Sequence, residues 1–326
     1  MNSFGRSFRV SIFGESHGEL MGVVLDGVPA GIPLCEEDFA ASISRRAPKG
    51  LAGTTRREED KPLLLSGVFE GHTTGAPLTI AFGNKDTRPE DYAATVAVPR
   101  PGHSDYAASI KWGGANDPRG GGHFSGRLTL PLVAAGVVAE KMLEGISFKA
   151  EVIEAGGKRD KSEWERAVES AAADGDSLGA VVECIVKGIP AGVGEPFWDS
   201  VESLVSHAVF AIPGVRGIEF GDGFEASRLR GSRHNDPLGP DGPLTNGAGG
   251  VNGGIGNGAP LLFRVAFKPA SSISAVQKTY DFKERKMTEL SVAGRHDVCF
   301  ALRTPVIVEA VTAIVLADLL QIRSGQ

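Results

Sequence analysis

The polar stretch of residues 99–127, PRPGHSDYAASIKWGGANDPRGGGHFSGR, most restricts what this chain can form. It is rich in Pro and Gly and almost free of core-building residues, yet it is crowded with charged and titratable side chains. This composition predicts a loop, and a loop of such length inside a compact chain is usually either functional or disordered. Because Tyr106, Trp112 and Phe124 argue against disorder, we expect a functional loop here.

An apolar helix is predicted directly after this loop. The segment LTLPLVAAGVVAEKML starts at Leu128, and its Val, Ala and Leu spacing suits a buried helix. Ser125, Gly126 and Arg127 would then lie at the helix N-terminus, where free backbone N–H groups, the helix dipole and a guanidinium group favour an anion. The sequence therefore predicts a phosphate or carboxylate site at these residues.

The composition of the whole chain is typical of a soluble enzyme. Its 326 residues, of which 41% are hydrophobic, can bury a large core, and this excludes a disordered protein. The formal net charge of -6 gives no basic face for nucleic acid, so clustered arginines must serve a local anionic site. The 3 cysteines lie far apart without CxxC spacing, which favours reduced thiols in the cytoplasm over a disulfide framework or a zinc site.

No membrane partner is expected. The N-terminal segment MNSFGRSFRVSIFGESHG lacks the apolar core of a signal peptide. The most apolar late segment, PVIVEAVTAIVLADLL, is short for a membrane span and contains Glu309 and Asp318. We expect it to form a core helix of a cytoplasmic protein.

Hydrophobic periodicity predicts mixed strands and helices without a regular βαβ alternation. Strands are predicted at FRVSIF, MGVVLDG, AVVECIVKG and LLFRVAFK, and a hairpin is predicted from KPLLLSGVF and APLTIAF, which implies antiparallel sheet. Helices are predicted at EEDFAASISRR, after Arg127, and at KSEWERAVESAAADG, WDSVESLVSHAVF and PVIVEAVTAIVLADLL. We therefore expect an α+β fold and, without a linker or a repeat, one domain over residues 1–326.

Two short motifs match known sites but lie in the wrong context. Residues 14–18, GESHG, satisfy G-x-S-x-G, which in α/β-hydrolases places a nucleophilic Ser between a strand and a helix. Here a second strand is predicted to follow, so Ser16 is not supported as a nucleophile. Gly254 and Gly256 with Ala259 imitate a dinucleotide fingerprint, but they precede a strand and begin no helix, so a Rossmann site is not predicted.

Three titratable groups lie in loops flanked by Gly or Pro: His17 in GESHG, His103 in PRPGHSD and Asp297 in AGRHDVC. Each is a candidate acid–base group, although an isolated His more often has a structural role. Basic residues lie in or near these loops, namely Arg45, Arg46, Arg100, Arg127, Arg295 and Lys268. Because Arg binds carboxylate and phosphate in a bidentate manner, this set predicts a small ligand with several negative charges.

Eight ordered loop motifs over most of the chain resemble the chorismate synthase family. They are GESHG at 14–18, SGVFEGHTTGAP at 66–77, NKDTRPEDY at 84–92, PRPGHSDY at 99–106, GSRHNDP at 231–237, TNGAGGVNGGIGNG at 245–258, FKPASSI at 267–273 and GRHD at 294–297. One such motif alone would mean little, but their number and order make the resemblance specific. The fold that it implies, helices layered between antiparallel β-sheets, agrees with the α+β prediction.

The resemblance implies a lyase that converts 5-enolpyruvylshikimate 3-phosphate to chorismate by anti-1,4-elimination of phosphate and a ring proton, with reduced FMN as cofactor. It implies that His17 protonates the departing phosphate, that His103 protonates the reduced flavin near N1, and that Asp297 relays the ring proton at N5. A His tuned near neutral pH suits proton donation, and a carboxylate suits a relay base. Family members are typically homotetramers, so a homotetramer is expected here.

The resemblance also assigns the ligand contacts, and it implies no metal. For the substrate they are Arg46, Arg100, Arg127 and Arg295, to which we add the neighbouring Arg45. For FMN they are Ser125, Gly126, Arg127, Asn257, Gly258, Lys268, Ser272 and Arg295. A Lys charge together with hydroxyl and backbone donors suits a phosphate group.

The chain departs from the family pattern after Arg46. Its sequence SRRAPKGLAG has Ala47 and Ala52 where many members carry Arg, and Lys49 or Arg56 could replace the missing charge. The compact chain also has no nicotinamide fingerprint in a strand-to-helix context. We therefore expect a monofunctional enzyme that depends on an external flavin reductase and does not itself use NADPH.

Two other classes of function remain open on sequence grounds. One is a metal-dependent hydrolase with His103, Asp105, His296 and Asp297 as ligands, although these residues have no established metal spacing. The other is a flavin-binding or anion-binding protein without catalytic activity.

Overall fold

The computed structural model describes residues 2–50, 52–56, 58–87, 95–292, 294 and 296–324. One antiparallel sheet of five strands, in the order β1-β2-β3-β7-β4, forms one outer layer. Its strands are β1 (Ser3–Phe4), β2 (Arg9–Gly14), β3 (Leu20–Asp26), β4 (Leu63–Ser66) and β7 (Leu78–Gly83), and the short hairpin β5 (Val68–Phe69) and β6 (His72–Thr73) lies between the last two.

A second antiparallel sheet, in the order β10-β15-β9-β8, forms the opposite layer. Its strands are β8 (Ser147–Ala155), β9 (Ala180–Lys187), β10 (Val215–Phe220) and β15 (Leu261–Phe267). Burial alternates along β15, as the apolar alternation of LLFRVAF predicts for a strand with one face on the core. Three hairpins complete the strands: β11 (Leu238–Gly239) with β12 (Gly242–Pro243), β13 (Val251–Asn252) with β14 (Ile255–Gly256), and β16 (Gln277–Asp281) with β17 (Lys286–Leu290).

The space between the two sheets is filled mainly by two packed helices, α3 (Thr129–Lys141) and α7 (Pro305–Ser324). The other described α-helices are α1 (Ala40–Arg46), α2 (Asp105–Trp112), α4 (Trp164–Ala173), α5 (Val201–Phe210) and α6 (Gly231–His234). Helix α3 packs on β3 and β7, α7 packs on β8 and β9, and the two helices pack on each other. A Cβ on Gly136 of α3 would lie 2.3 Å from the Cβ of Ala310 of α7, so glycine permits this close helix contact. The predicted α+β fold with helices between antiparallel sheets is confirmed.

Helix α7 is the core helix that the sequence predicts. It is long and apolar enough to cross a membrane, but 78% of its most apolar window is buried inside the protein. Its two acidic residues are satisfied internally. Asp318 accepts hydrogen bonds from the backbone N–H groups of Ser7 at 2.6 Å and Phe8 at 2.9 Å, and Glu309 pairs with Arg45.

The structure corrects the expectation for residues 99–127 in one respect. A loop is expected throughout this stretch, but helix α2 lies within it and ends at Trp112, where Gly113 follows as the cap with a left-handed φ of 59°. Hydrophobic periodicity does not reveal such a short helix, because Ala108 is the only one of its residues that is buried. The prediction for GESHG is confirmed, since β2 and β3 form an antiparallel pair and no helix follows the motif.

Candidate active site

A cavity of about 940 Å³ brings together residues from distant loops. Its walls come from the turn after β2, the segment after α1, the loops before α2 and α3, the segment after β15 and the loop before α7. Ten of the residues predicted from the sequence line it: His17, Arg46, Arg100, His103, Ser125, Gly126, Arg127, Lys268, Ser272 and Asp297. The three titratable loops therefore meet in space.

Three predicted residues that the structure describes, Arg45, Asn257 and Gly258, do not line this cavity. Arg45 instead forms a bidentate pair with Glu309, at 2.6 Å and 2.9 Å, and lines a separate opening of about 550 Å³. The side chain of Asn257 donates to Asn252 in the β13–β14 hairpin region, and neither Asn257 nor Gly258 is among the cavity-lining residues. Arg295 lies outside the described residues.

His17 lies in a tight space between its own turn and a glycine turn. The side chain is buried, and its Nδ1 is 3.2 Å from Ser16 Oγ. On the other side the chain passes through Gly120, with a φ of 60°, and a Cβ there would lie 2.2 Å from the imidazole. Only glycine allows the backbone to pass this close to the imidazole, so the position of His17 depends on the conformation of this turn.

His103 belongs to a buried charge network at the start of α2. Its Nδ1 lies 2.6 Å from Asp105 Oδ1, and Arg100 pairs with the same carboxylate. Burial lowers the pKa of His103, and the hydrogen bond to Asp105 only partly offsets this effect. Burial acts to raise the pKa of Asp105, but hydrogen bonds from Arg100 and His103 prevail and hold that pKa well below its usual range.

Two buried arginines share one carboxylate deeper in the cavity. Asp60 pairs closely with Arg127 Nη1 and lies 3.5 Å from Arg46 Nη1. Burial, followed by repulsion from Arg303, lowers the pKa of Arg46 to about 9. Arg127 Nε donates to Asn84, whereas its buried Nη2 has no hydrogen-bond partner among the described residues. This unpaired donor suits an anionic ligand group.

Sequence reasoning missed Arg303 as a cavity residue. Arg303 donates to Asp297 Oδ2 at 2.8 Å, and the backbone N–H of Thr54 donates to the other oxygen at 2.9 Å. The Nε of Arg303 is buried without a hydrogen-bond partner in the described part of the chain. The sequence shows only that Arg303 precedes a predicted core helix, and this position does not reveal where its side chain lies.

Of the two residues that could replace the arginines missing at Ala47 and Ala52, Arg56 lies at the cavity and Lys49 does not. Arg56 lines the cavity and donates to the hydroxyl and carbonyl oxygens of Ser16, both at 3.1 Å. The same guanidinium pairs with Glu58 at 2.7 Å. Lys49 instead lines the smaller opening together with Arg45.

The arrangement can bind a polyanion and move protons next to it. Cationic side chains outnumber carboxylates around the cavity, where the cations are Arg46, Arg56, Arg100, Arg127, Arg216, Lys268 and Arg303 and the carboxylates are Glu58, Asp60 and Asp297. Histidines line the same space, and buried charges act more strongly there than in water. The fold and site define an enzyme that acts on a small molecule with several negative charges.

Comparisons with known proteins identify the family. The chorismate synthase family model matches residues 8–321. Chorismate synthase of Chitinophaga pinensis is 55% identical over 100% of this chain and 99% of its own length, and that of Korarchaeum cryptofilum is 43% identical over 97% and 96%. A crystal structure of chorismate synthase superposes with a TM-score of 0.75 at 26% identity, covering 99% of this chain and 94% of the other. The chain belongs to the chorismate synthase family.

Family membership confirms several predictions from the sequence. The resemblance itself and the enzyme class, a lyase, are confirmed, as is the antiparallel α+β architecture. The metal-dependent hydrolase and the inactive binding protein are not favoured.

Proposed function

We propose that this chain forms chorismate from 5-enolpyruvylshikimate 3-phosphate by anti-1,4-elimination of phosphate, with reduced FMN as cofactor. The observation that carries the proposal is the meeting of His17, His103 and Asp297 with buried arginines in one cavity of about 940 Å³. The relatives in this family carry the same activity in their names.

The anionic groups of the substrate are assigned to the buried arginines. Two carboxylates and a phosphate need several guanidinium groups, and Arg46, Arg127 and Arg303 lie around the inner cavity. Asp60 and Asp297 hold these arginines in place. Within the described part of the chain, the Nη2 of Arg127 and the Nε of Arg303 have no hydrogen-bond partner and can donate to a ligand.

The FMN phosphate is assigned to the end of the cavity at Lys268. The Nζ of Lys268 donates to Gly102 O and Ser271 Oγ, both at 2.5 Å, which fixes the cation at the cavity wall. Burial and then repulsion from Arg216 lower the pKa of Lys268, so a dianionic phosphate would relieve an unfavourable pair of cations. Ser125, Gly126 and Ser272 also line the cavity. These residues fit the phosphate group of FMN.

The proton transfers are assigned to three side chains. Reduced FMN, when bound, supplies the electron density that loss of the phosphate requires. His17 gives a proton to the departing phosphate oxygen, and His103 holds a proton for the flavin N1 region. Asp297, held between Arg303 and the Thr54 N–H, would accept the ring proton and relay it to the N5 region of the bound flavin.

The wider setting follows from the same proposal. We propose a single catalytic domain over residues 1–326 that acts in the cytoplasm as a homotetramer. The enzyme is proposed to be monofunctional, with an external reductase supplying the reduced flavin. Nucleic acid and membranes are not among its proposed partners.

An anaerobic assay tests the function and the source of reduced flavin together. With photochemically reduced FMN and 5-enolpyruvylshikimate 3-phosphate, purified protein should form chorismate. In air with oxidised FMN and NADPH, it should form none unless a flavin reductase is added. Absence of chorismate in the first arm would contradict the proposed activity, and product in the second arm without reductase would contradict monofunctionality.

A further inference from the structure

We propose that Asp105 is a positioning residue for His103. Asp105 fixes the tautomer and the orientation of the imidazole, while Arg100 fixes the carboxylate of Asp105. The inference rests on the proposed function, in which His103 is a catalytic residue. It gives Asp105 a part in the reaction without contact to substrate or flavin, since Asp105 is not among the cavity-lining residues.

The contact between Asp105 and His103 determines which ring nitrogen carries the proton. The distance from His103 Nδ1 to Asp105 Oδ1 is 2.6 Å, and the Asp105 side chain is only 8% exposed. An ionised carboxylate can only accept a hydrogen bond, so this short contact requires Nδ1 to donate. Arg100 Nη2 also lies 3.1 Å from Nδ1, but it makes its shorter hydrogen bond, at 2.7 Å, to the same carboxylate oxygen. In the neutral ring Nε2 then carries the lone pair, and it is the nitrogen that gains and releases the catalytic proton.

Arg100 holds the carboxylate rather than acting on its own. Its Nε and Nη2 donate to the two oxygens of Asp105, each at 2.7 Å, and its backbone N–H adds a third bond at 3.1 Å. Bidentate pairing fixes the carboxylate plane, and with it the direction in which His103 is held. The remaining Nη1 donates to Ser272 Oγ at 2.9 Å, which connects this network to the segment after β15.

The glycine turn restrains the opposite edge of the ring. A Cβ on Gly121, whose φ is 81°, would lie 3.3 Å from His103 Nε2. The imidazole therefore has the carboxylate at Nδ1 and the backbone of the glycine turn close to Nε2. A 180° rotation of the ring would place Cδ2 at the Asp105 contact and Cε1 near the turn, and the hydrogen bond to the carboxylate would be lost. Asp105 selects one of these two orientations.

The charged groups around His103 predict how its titration changes when Asp105 is altered. Arg100 and Lys268 face the ring and, like burial, lower the pKa of His103, whereas Asp105 raises it. Replacing the carboxylate with an amide removes the group that favours the protonated ring. Because His103 acts in its protonated form, the alkaline limb of the pH profile of kcat should therefore move to lower pH in Asp105→Asn.

The test compares Asp105→Asn with wild type by nitrogen NMR of histidine-labelled protein, together with kinetics. The His103 signals are assigned with the variant His103→Gln. We expect protonated Nδ1 in wild type and a shift towards protonated Nε2 in Asp105→Asn. The kcat should fall about 10-fold to 100-fold, which is typical for loss of such an orienting partner, with KM changed by less than about threefold.

Two further variants separate positioning from general damage. Glu309→Gln removes another buried carboxylate with an Arg partner, away from the cavity, and should leave the His103 nitrogen shifts unchanged. Asp105→Glu keeps the charge, and it should retain more of the wild-type tautomer and kcat than Asp105→Asn does. If Asp105→Asn does not fold, Asp105→Ser, which also removes the charge, takes its place, and a displaced tautomer or pH profile in that variant supports the proposal.

The proposal is overturned if the available Asp105 variant keeps the wild-type tautomer, pH profile and kcat. Failure of the proposed function has a different signature. Full activity of His103→Gln would remove His103 from catalysis, while the NMR comparison would still report whether Asp105 sets its tautomer.

Discussion

Asp60 pairs with Arg127 inside the cavity, where less than a tenth of either side chain is exposed. The backbone of Asp60 has a φ of 52°, a left-handed conformation that is rare for residues other than glycine. Strain of this kind persists where surrounding contacts enforce it, and it concentrates at functional sites. The pair therefore keeps the arginine oriented while supplying a counter-charge within the anion site.

Removal of this carboxylate should destabilise the protein in a way that an anion repairs. Asp60→Asn leaves Arg46 and Arg127 without their shared charge, and breaking a buried pair costs about 3 kcal/mol of unfolding free energy. Inorganic phosphate should restore more stability to the variant than to wild type, because it binds the buried guanidinium groups that have lost their carboxylate. Thermal unfolding at increasing phosphate concentration measures both effects.

The matched control for this experiment is Asp26→Asn, which breaks the exposed pair with Arg9. It should change the unfolding free energy by less than about 1 kcal/mol and give no added response to phosphate. Equal phosphate stabilisation of wild type and Asp60→Asn would show that Asp60 does not occupy the anion site.

A side chain at Gly120 should inactivate the enzyme by displacing His17. Alanine at this position places its Cβ 2.2 Å from the imidazole, and φ is 60°. We expect kcat to fall at least about 100-fold, the usual contribution of a general acid. Gly114→Ala is the matched control, since its φ is 82° but no atom lies within 4 Å of the added Cβ. It should cost about 1 kcal/mol of stability and little activity. Equal kcat losses in the two variants would mean that backbone strain alone is responsible.

The lowered pKa of His103 predicts a loss of stability on acidification. Because burial lowers this pKa in the folded state, the unfolded chain binds the proton more readily. The stabilising contribution is complete above the unfolded value of about 6.5 and is lost as pH falls towards the folded value. Unfolding free energies from denaturant titrations between about pH 7 and pH 5 should therefore fall less in His103→Asn than in wild type. An identical slope in wild type and His103→Asn would contradict the assigned shift.

Lys268→Ala should distinguish FMN from riboflavin. The lost charge faces only the phosphate in our assignment, so FMN should bind about tenfold more weakly, as expected for one charge-assisted contact. Riboflavin, which lacks the phosphate, should bind with an affinity within about twofold of wild type. Lys278→Ala on the exposed strand β16 is the control. Equal weakening of both flavins, measured by fluorescence titration, would move Lys268 away from the phosphate.

The sequence predicted the architecture better than the direction of individual side chains. The alternation in LLFRVAF and the apolar length of α7 depend on local periodicity, and both elements form as expected. Arg45 and Arg46 are neighbours on α1, but successive helical residues point about 100° apart. Consequently Arg46 faces the cavity and Arg45 faces Glu309, a difference that only the packing of α1 decides.

Contacts between distant segments were the part that sequence reasoning could not supply. The pairing of Arg303 with Asp297 and of Arg56 with Ser16 depends on how loops meet across the two sheets. The motif that contains His103 was recognised, but its partner Asp105 was considered only as a metal ligand. The two residues are separated by one position in the sequence, and this spacing alone does not show where either side chain points. Their directions are set by the start of α2 at Asp105.

The central claim is a flavin-dependent elimination, and product stoichiometry under anaerobic conditions tests it most directly. Reduced FMN, substrate and purified protein should release one phosphate for each chorismate formed, with the flavin still reduced at the end. His17→Ala should lower both products equally, by about 100-fold or more. Release of phosphate without chorismate, or oxidation of one flavin per turnover, would contradict the account.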